Sequence, residues 1–139
     1  MRITPEQYFG PYLEHKDVGH EEWFNAHVLL EKVDKLLELA ESCGVPLTTN
    51  PTTNSLVSGS GNGGFRTKKS PVGASRSRHK QGRAVDVYDP LNALDKWLVA
   101  QPDELLEDFG LWFEDGKHTN GWCHMQDIPP PSKRRFFIP

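Results

Sequence analysis

Apolar residues recur at Ala26, Leu29, Leu30, Val33, Leu36, Leu37 and Ala40, with Glu31, Lys32, Asp34, Lys35 and Glu38 between them. This is the three-and-four spacing of a single buried face, and it predicts a helix from about Glu21 to Cys43. Gly44 supplies a C-terminal stop and Pro46 prevents continuation. Residues 1–20 read as a polar lead-in spotted with aromatics. The period changes to two at Ala84-Val85-Asp86-Val87-Tyr88, which predicts a strand. Asp89 and Pro90 then fit the cap and first position of a second helix carrying Leu91, Leu94, Trp97 and Leu98. Pro102 opens a short third helix with Leu105 and Leu106, Gly110 ends it, and Leu111-Trp112-Phe113 begins a strand or turn. Trp122-Cys123-His124-Met125-Gln126 is the last clear strand. The Pro-rich, basic tail from Ile128 to Pro139 is expected to lie over the surface.

Residues 47–78 are rich in Thr, Ser, Asn and Gly, a composition that would suit a linker. Leu56-Val57 and Gly64-Phe65-Arg66 nevertheless look like short strand pieces. The segment also leads directly into the most polar motif of the chain, so it reads as a long functional loop region. With no internal repeat and no second domain, the pattern predicts one α+β domain over residues 1–139. It has an N-terminal helical region, 1–45, and a motif-bearing core, 57–139.

Composition narrows the function. The 139 residues suffice for one domain with a real core, and 36% hydrophobic with 25% charged residues suits a soluble globular chain. A net charge of −3 argues against a protein built mainly to bind nucleic acid. No apolar run approaches the roughly 18 residues of a membrane span. The N-terminus carries no signal-peptide core, so synthesis in the cytoplasm is expected. Cys43 and Cys123 are the only cysteines, too few for a disulfide framework, and they are expected to be buried thiols. His15, His20 and His27 are expected on the surface.

The candidate chemistry lies in Ser77-Arg78-His79-Lys80-Gln81-Gly82-Arg83-Ala84-Val85-Asp86 and in Trp122-Cys123-His124-Met125-Gln126. Strand alternation puts Asp86 opposite Val85 and Val87, and His124 opposite Cys123 and Met125. If the apolar residues face the core, Asp86 and His124 share a polar face, and Gly82 permits a sharp turn that brings His79 to them. Three N/O ligands of this kind satisfy zinc and leave its fourth position for water. A lone histidine or a strand aspartate is more often structural, so the residues alone leave both readings open.

These same segments carry a resemblance. With Gly64-Phe65-Arg66, the pattern Ser-x-His-x-x-Gly-x-Ala-x-Asp followed by Trp-x-His resembles the M15 family of zinc D-Ala-D-Ala peptidases, in particular its short phage-type members. The resemblance runs from about Val57 to the end and includes the Pro129-Pro130-Pro131-Ser132 tail. It implies zinc held by His79, Asp86 and His124. Arg66 would contact substrate and steady an oxyanion, and Ser77 would contact substrate. The implied fold is a small, mostly antiparallel sheet with zinc on one face and the long N-terminal helix on the other. The implied activity is hydrolysis of a peptide bond in the peptidoglycan stem peptide, as carboxypeptidase or endopeptidase, by a monomer. A phage setting, by release through a membrane pore or from a virion, would take it to the bacterial wall.

One position departs from the family pattern. Many members place an acid three residues before the last histidine, and here that residue is Gly121. His118 is the best-placed replacement by sequence, since its ordinary pKa near 6.5 suits proton transfer. Glu114 and Asp115 are the other nearby candidates and read equally well as solvated turn residues. Gly121 keeps alive a non-catalytic zinc-stabilised binding module, or a phage structural protein of the same fold. A metal-dependent nuclease is a more distant reading that the acidity disfavours.

Overall fold

The computed structural model describes residues 1–74 and 76–139. The polar lead-in folds into α1, Pro5–Phe9, which the periodicity was too short to reveal. Thr4 and Gln7 form a reciprocal cap at its start. Tyr8 and Phe9 are buried, so this helix belongs to the core. The long helix α2, His20–Ser42, starts where Glu22 accepts from the Gly19 N–H. It ends in paired backbone bonds, Val45 N–H to Ala40 C=O and Gly44 N–H to Glu41 C=O, which satisfy carbonyls that the helix itself leaves unpaired. All seven apolar positions of its predicted face are buried. Cys43 corrects the expectation of a buried thiol: it sits at the helix cap, beyond the last buried position, and is exposed, whereas Cys123 is buried.

Four strands form one mixed sheet in the order β1-β3-β2-β4. They are β1, Ala84–Tyr88; β2, Trp112–Glu114; β3, Trp122–Gln126; and β4, Phe136–Phe137. β1 and β2 pair antiparallel with β3, and β4 pairs parallel with β2. The register sets Val85 opposite Met125, Asp86 opposite His124 and Val87 opposite Cys123. Val85, Val87, Cys123, Met125 and Phe113 join the α2 face in one continuous core. Asp86 and His124 are left on the other face. Leu56-Val57-Ser58 flanks the outer edge of β1 through Tyr88 N–H to Leu56 C=O and Ser58 N–H to Asp86 C=O. Gly64-Phe65-Arg66 is irregular rather than a strand.

The tail departs from expectation. Phe136 stacks on Phe113, with ring centroids 5.5 Å apart, and Phe137 is buried against the edge of the His124 ring. The pairing is set by Phe113 N–H to Arg135 C=O and Asp115 N–H to Phe137 C=O. Arg135 lies 4.7 Å over the Trp112 ring, so Trp112 packs under a cation as well as against its neighbours.

Helix α3, Ala93–Val99, begins later than Pro90 and leaves Leu91 exposed. Asp89 still acts as its cap, accepting from the Leu94 and Asp95 N–H groups. Helix α4 spans Asp103–Asp108. Among the described residues, no helix is long and apolar enough to cross a membrane.

Two stability outcomes follow from this packing. Phe137→Ala should lower the unfolding free energy by about 3 kcal/mol in urea titration, because a buried ring is lost. A change within about 0.5 kcal/mol would place the tail on the surface after all. Asp95 on α3 is buried, which pushes its carboxyl up to about 6. The folded state therefore binds a proton that the unfolded chain, with its ordinary pKa near 4, releases first, and Asp95 loses its stability contribution as pH rises through about 6. Asp95→Asn should gain stability relative to the parent between about pH 4 and pH 7, and a flat difference across that range would contradict the shift.

Candidate metal centre

His79 arrives at the sheet from a short 3-10 turn, Arg78–Gln81, that the chain has specific means to build. Ser77 caps the turn by accepting from the His79 N–H at 3.3 Å. Gly82 closes it at φ +74°, and an added Cβ there would meet the Glu22 carbonyl at 2.8 Å. A left-handed residue pressed against α2 has to be glycine. Gly64 is forced by proximity instead: a Cβ would lie 2.0 Å from the Tyr8 carbonyl oxygen. The close approach brings the Gly64 carbonyl to 2.8 Å from His79 Nδ1.

That bond decides the chemistry of His79. A carbonyl only accepts, so Nδ1 carries the proton and neutral His79 turns the lone pair of Nε2 into the site. His124 is set in the mirror sense. Its Nε2 lies 2.9 Å from Gln126 Oε1, and Gln126 is oriented by donating its own Nε2–H to the Ile128 carbonyl at 2.7 Å. Nε2 of His124 therefore donates and Nδ1 faces the site. Both free nitrogens converge on Asp86 Oδ1, His79 Nε2 at 3.2 Å and His124 Nδ1 at 2.9 Å.

With neutral imidazoles, three acceptor atoms thus crowd one point in a buried site. His79 is only 2% exposed and the other two side chains 11% and 12%. Such a trio requires a cation, either a proton or a metal. The titration behaviour shows the same tension. Burial pulls the His79 pKa down. It also opposes charge on His124, but the hydrogen bond and charge of Asp86 outweigh it and raise that group. Burial alone would raise Asp86, yet the two histidines hold it well below the usual carboxylate range.

The donor set fits a metal ion. All three ligand atoms lie within 4.8 Å of one another. Separations of 2.9 and 3.2 Å are near the roughly 3.3 Å edge of a tetrahedron with N and O bonds of 2.0–2.2 Å. Two imidazoles with one carboxylate could hold a transition-metal ion, and each ligand has the outer hydrogen bond that metal-binding histidines use.

The trio lies on the floor of a cleft of about 860 Å³. One wall is the segment around Val72, Gly73, Ala74, Arg76 and Arg78. The other is the tail, through Pro130, Pro131, Ile138 and Pro139. Arg66 reaches the floor and is held there by Nε–H to the Asn62 carbonyl at 2.7 Å and by Nη2–H to Asp86 Oδ2 at 3.3 Å. Ser77 and Trp122 also line the cleft.

His118 does not join them. It is exposed in the 3-10 turn Gly116–His118, outside the residues lining the cleft. Asp95 on α3 accepts from the hydroxyl of Thr119, the residue that follows that turn, at 3.4 Å. Glu114, which the sequence left open between a candidate acid and a solvated turn residue, is the last residue of β2 and lines the cleft. Extending the Trp112-Phe113 alternation by one position was the available signal. The chain matches no family model, no curated protein and no solved structure.

The apo protein should bind one transition-metal ion per chain, measured by competition with a chromophoric chelator. His79→Ala and His124→Ala should abolish tight binding. Gln126→Leu, which removes only the oxygen that orients His124, should weaken it by about 10-fold to 100-fold. Unaltered affinity in Gln126→Leu would show that His124 does not ligate through Nδ1.

Proposed function

We propose that this cleft binds zinc through His79, Asp86 and His124 and hydrolyses a peptide bond in the stem peptide of bacterial peptidoglycan. The observation that carries the reading is the convergence of His79 Nε2, Asp86 Oδ1 and His124 Nδ1 at the floor of an open cleft, with a fixed guanidinium on the second carboxylate oxygen. The order and spacing of these residues resemble those of the M15 zinc peptidases, which supports the substrate class. Three protein ligands suit a catalytic site rather than a closed structural one.

When bound, zinc would supply Lewis-acid polarisation of the scissile carbonyl and a water of lowered pKa. The remaining work falls to the chain. The cleft of about 860 Å³, lined by Val72, Gly73, Ala74, Arg76 and by the tail, has room for a short stretch of peptide. Arg66 cannot swing freely, because its Nε–H is tied to Asn62 and its Nη2–H to Asp86. A guanidinium held in this way is preorganised to stabilise negative charge as it develops on the carbonyl oxygen. Ser77 caps the His79 turn with its oxygen and keeps its hydroxyl hydrogen to donate to substrate. A second reading, a zinc-stabilised binding module, is favoured by Gly121, whose lack of a side chain removes any acid at that position.

The zinc-loaded protein, incubated with purified peptidoglycan, should release new stem-peptide fragments detectable by mass spectrometry. A chelator or His79→Ala should abolish the release, and Arg66→Lys should slow it by about 100-fold. If no fragments appear from several wall chemistries, the binding module is the better reading.

A further inference from the structure

Amide hydrolysis moves a proton from water to the leaving nitrogen, and a positioned side chain that carries it is worth about 100-fold or more. Among the described residues lining the cleft, those with ionisable side chains are Arg66, Arg76, Arg78, His79, Asp86, His124 and Glu114. Arginine does not give up its proton in proteins. His79, Asp86 and His124 are committed to one another and to the ion they would hold. Glu114 is the one acid/base side chain left.

Its placement suits the task. On β2, Phe113 points into the core, so Glu114 emerges on the same face of the sheet as Asp86 and His124. Trp112 pairs with Gln126 and Phe113 with Met125, and one further step of that register brings Glu114 level with His124. It lies outside the trio whose ligand atoms cluster within 4.8 Å, beside the candidate metal position rather than in it. Among the described residues, no hydrogen bond or ion pair engages its carboxylate, which leaves both oxygens free.

We propose that Glu114 is the acid/base of this cleft, supplied from the strand beside the last ligand in place of an acid at Gly121. The proposal rests on the peptidase reading above. Glu114 accepts one proton from the attacking water as the water oxygen bonds to the scissile carbonyl carbon and the carbonyl π pair moves onto its oxygen. The oxygen pair then returns, the C–N bond breaks with its electrons going to nitrogen, and Glu114 delivers the proton to that nitrogen. The products are a carboxylic acid, which keeps the second water proton, and an amine.

The test compares wild type, Glu114→Gln, Glu114→Asp and His118→Ala on the stem peptide that the wild type cleaves. Glu114→Gln should lower kcat by about 100-fold or more, while KM stays within roughly threefold. It should keep wild-type zinc affinity by chelator competition and still bind the intact peptide by calorimetry. Glu114→Asp, which retains a carboxylate and controls for folding, should be more active than Glu114→Gln, and His118→Ala should stay within roughly threefold of wild type. Glu114→Gln turnover near wild type would overturn the proposal. So would a loss of zinc affinity, which would make Glu114 a ligand, a loss of peptide binding, or a large defect in His118→Ala. Failure of the underlying reading is distinguishable: the wild type itself then cleaves no stem peptide, and the role of Glu114 falls with it.

Discussion

The antiparallel register that sets Asp86 opposite His124 is the constraint on which the site depends. Strand side chains alternate, so a slip of one residue in β1 would turn Asp86 into the core and expose its valines, and a slip in β3 would do the same to His124, Cys123 and Met125. The apolar residues hold the register from one face. Polar contacts add to this: the Tyr8 hydroxyl donates to the Ala84 carbonyl at 2.9 Å, and Asp127, just past β3, takes Arg83 Nε–H at 2.8 Å just before β1. The two strands are thus locked at the same end by contacts outside the ladder. The cost of burying three polar groups is imposed by the favourable burial of their neighbours.

The N-terminal helical region is part of the site, although it contributes no ligand. Tyr8 presses its carbonyl onto Gly64, which aims the Gly64 carbonyl at His79, and α2 presses the Glu22 carbonyl onto Gly82, which shapes the turn that carries His79. Asn25 adds a hydrogen bond to the Gln81 carbonyl at 2.9 Å. His79 is therefore positioned by packing against two helices, whereas Asp86 and His124 are positioned by strand pairing. These supports are independent, and their meeting point is where the acceptor atoms crowd.

The sequence was legible where structure is encoded by local periodicity. The α2 face, the strands β1 and β3, and the sharing of one face by Asp86 and His124 all follow from spacings of three-and-four or of two. Features set by distant partners were hidden. β4 is two residues long and exists because Phe113 and Asp115 offer it a parallel edge, so a Pro-rich, basic tail gave no sign of it. α1 is too short for a period to show. His118 was chosen over Glu114 by nearness in sequence to the last ligand, but its turn leaves it exposed and outside the residues that line the cleft, whereas Glu114 lines it. Cys43 was expected to be buried because free thiols usually are, yet α2 ends just before it and it is exposed at the cap.

Asp86 also couples the parts of the site to one another. Its Oδ1 faces both histidines and its Oδ2 faces Arg66, so one carboxylate neutralises the guanidinium while it supplies an acceptor to the imidazole pair. Charge drawn from either oxygen weakens what the other offers, and in a buried site this exchange is poorly screened. Replacing Arg66 then does more than remove an oxyanion partner, since it leaves Asp86 more basic and a stronger ligand. Neutralising Asp86 would remove a ligand and release the guanidinium together. Effects of changes at these two residues are accordingly expected to be non-additive, and the energy of either group has meaning only with the other in place.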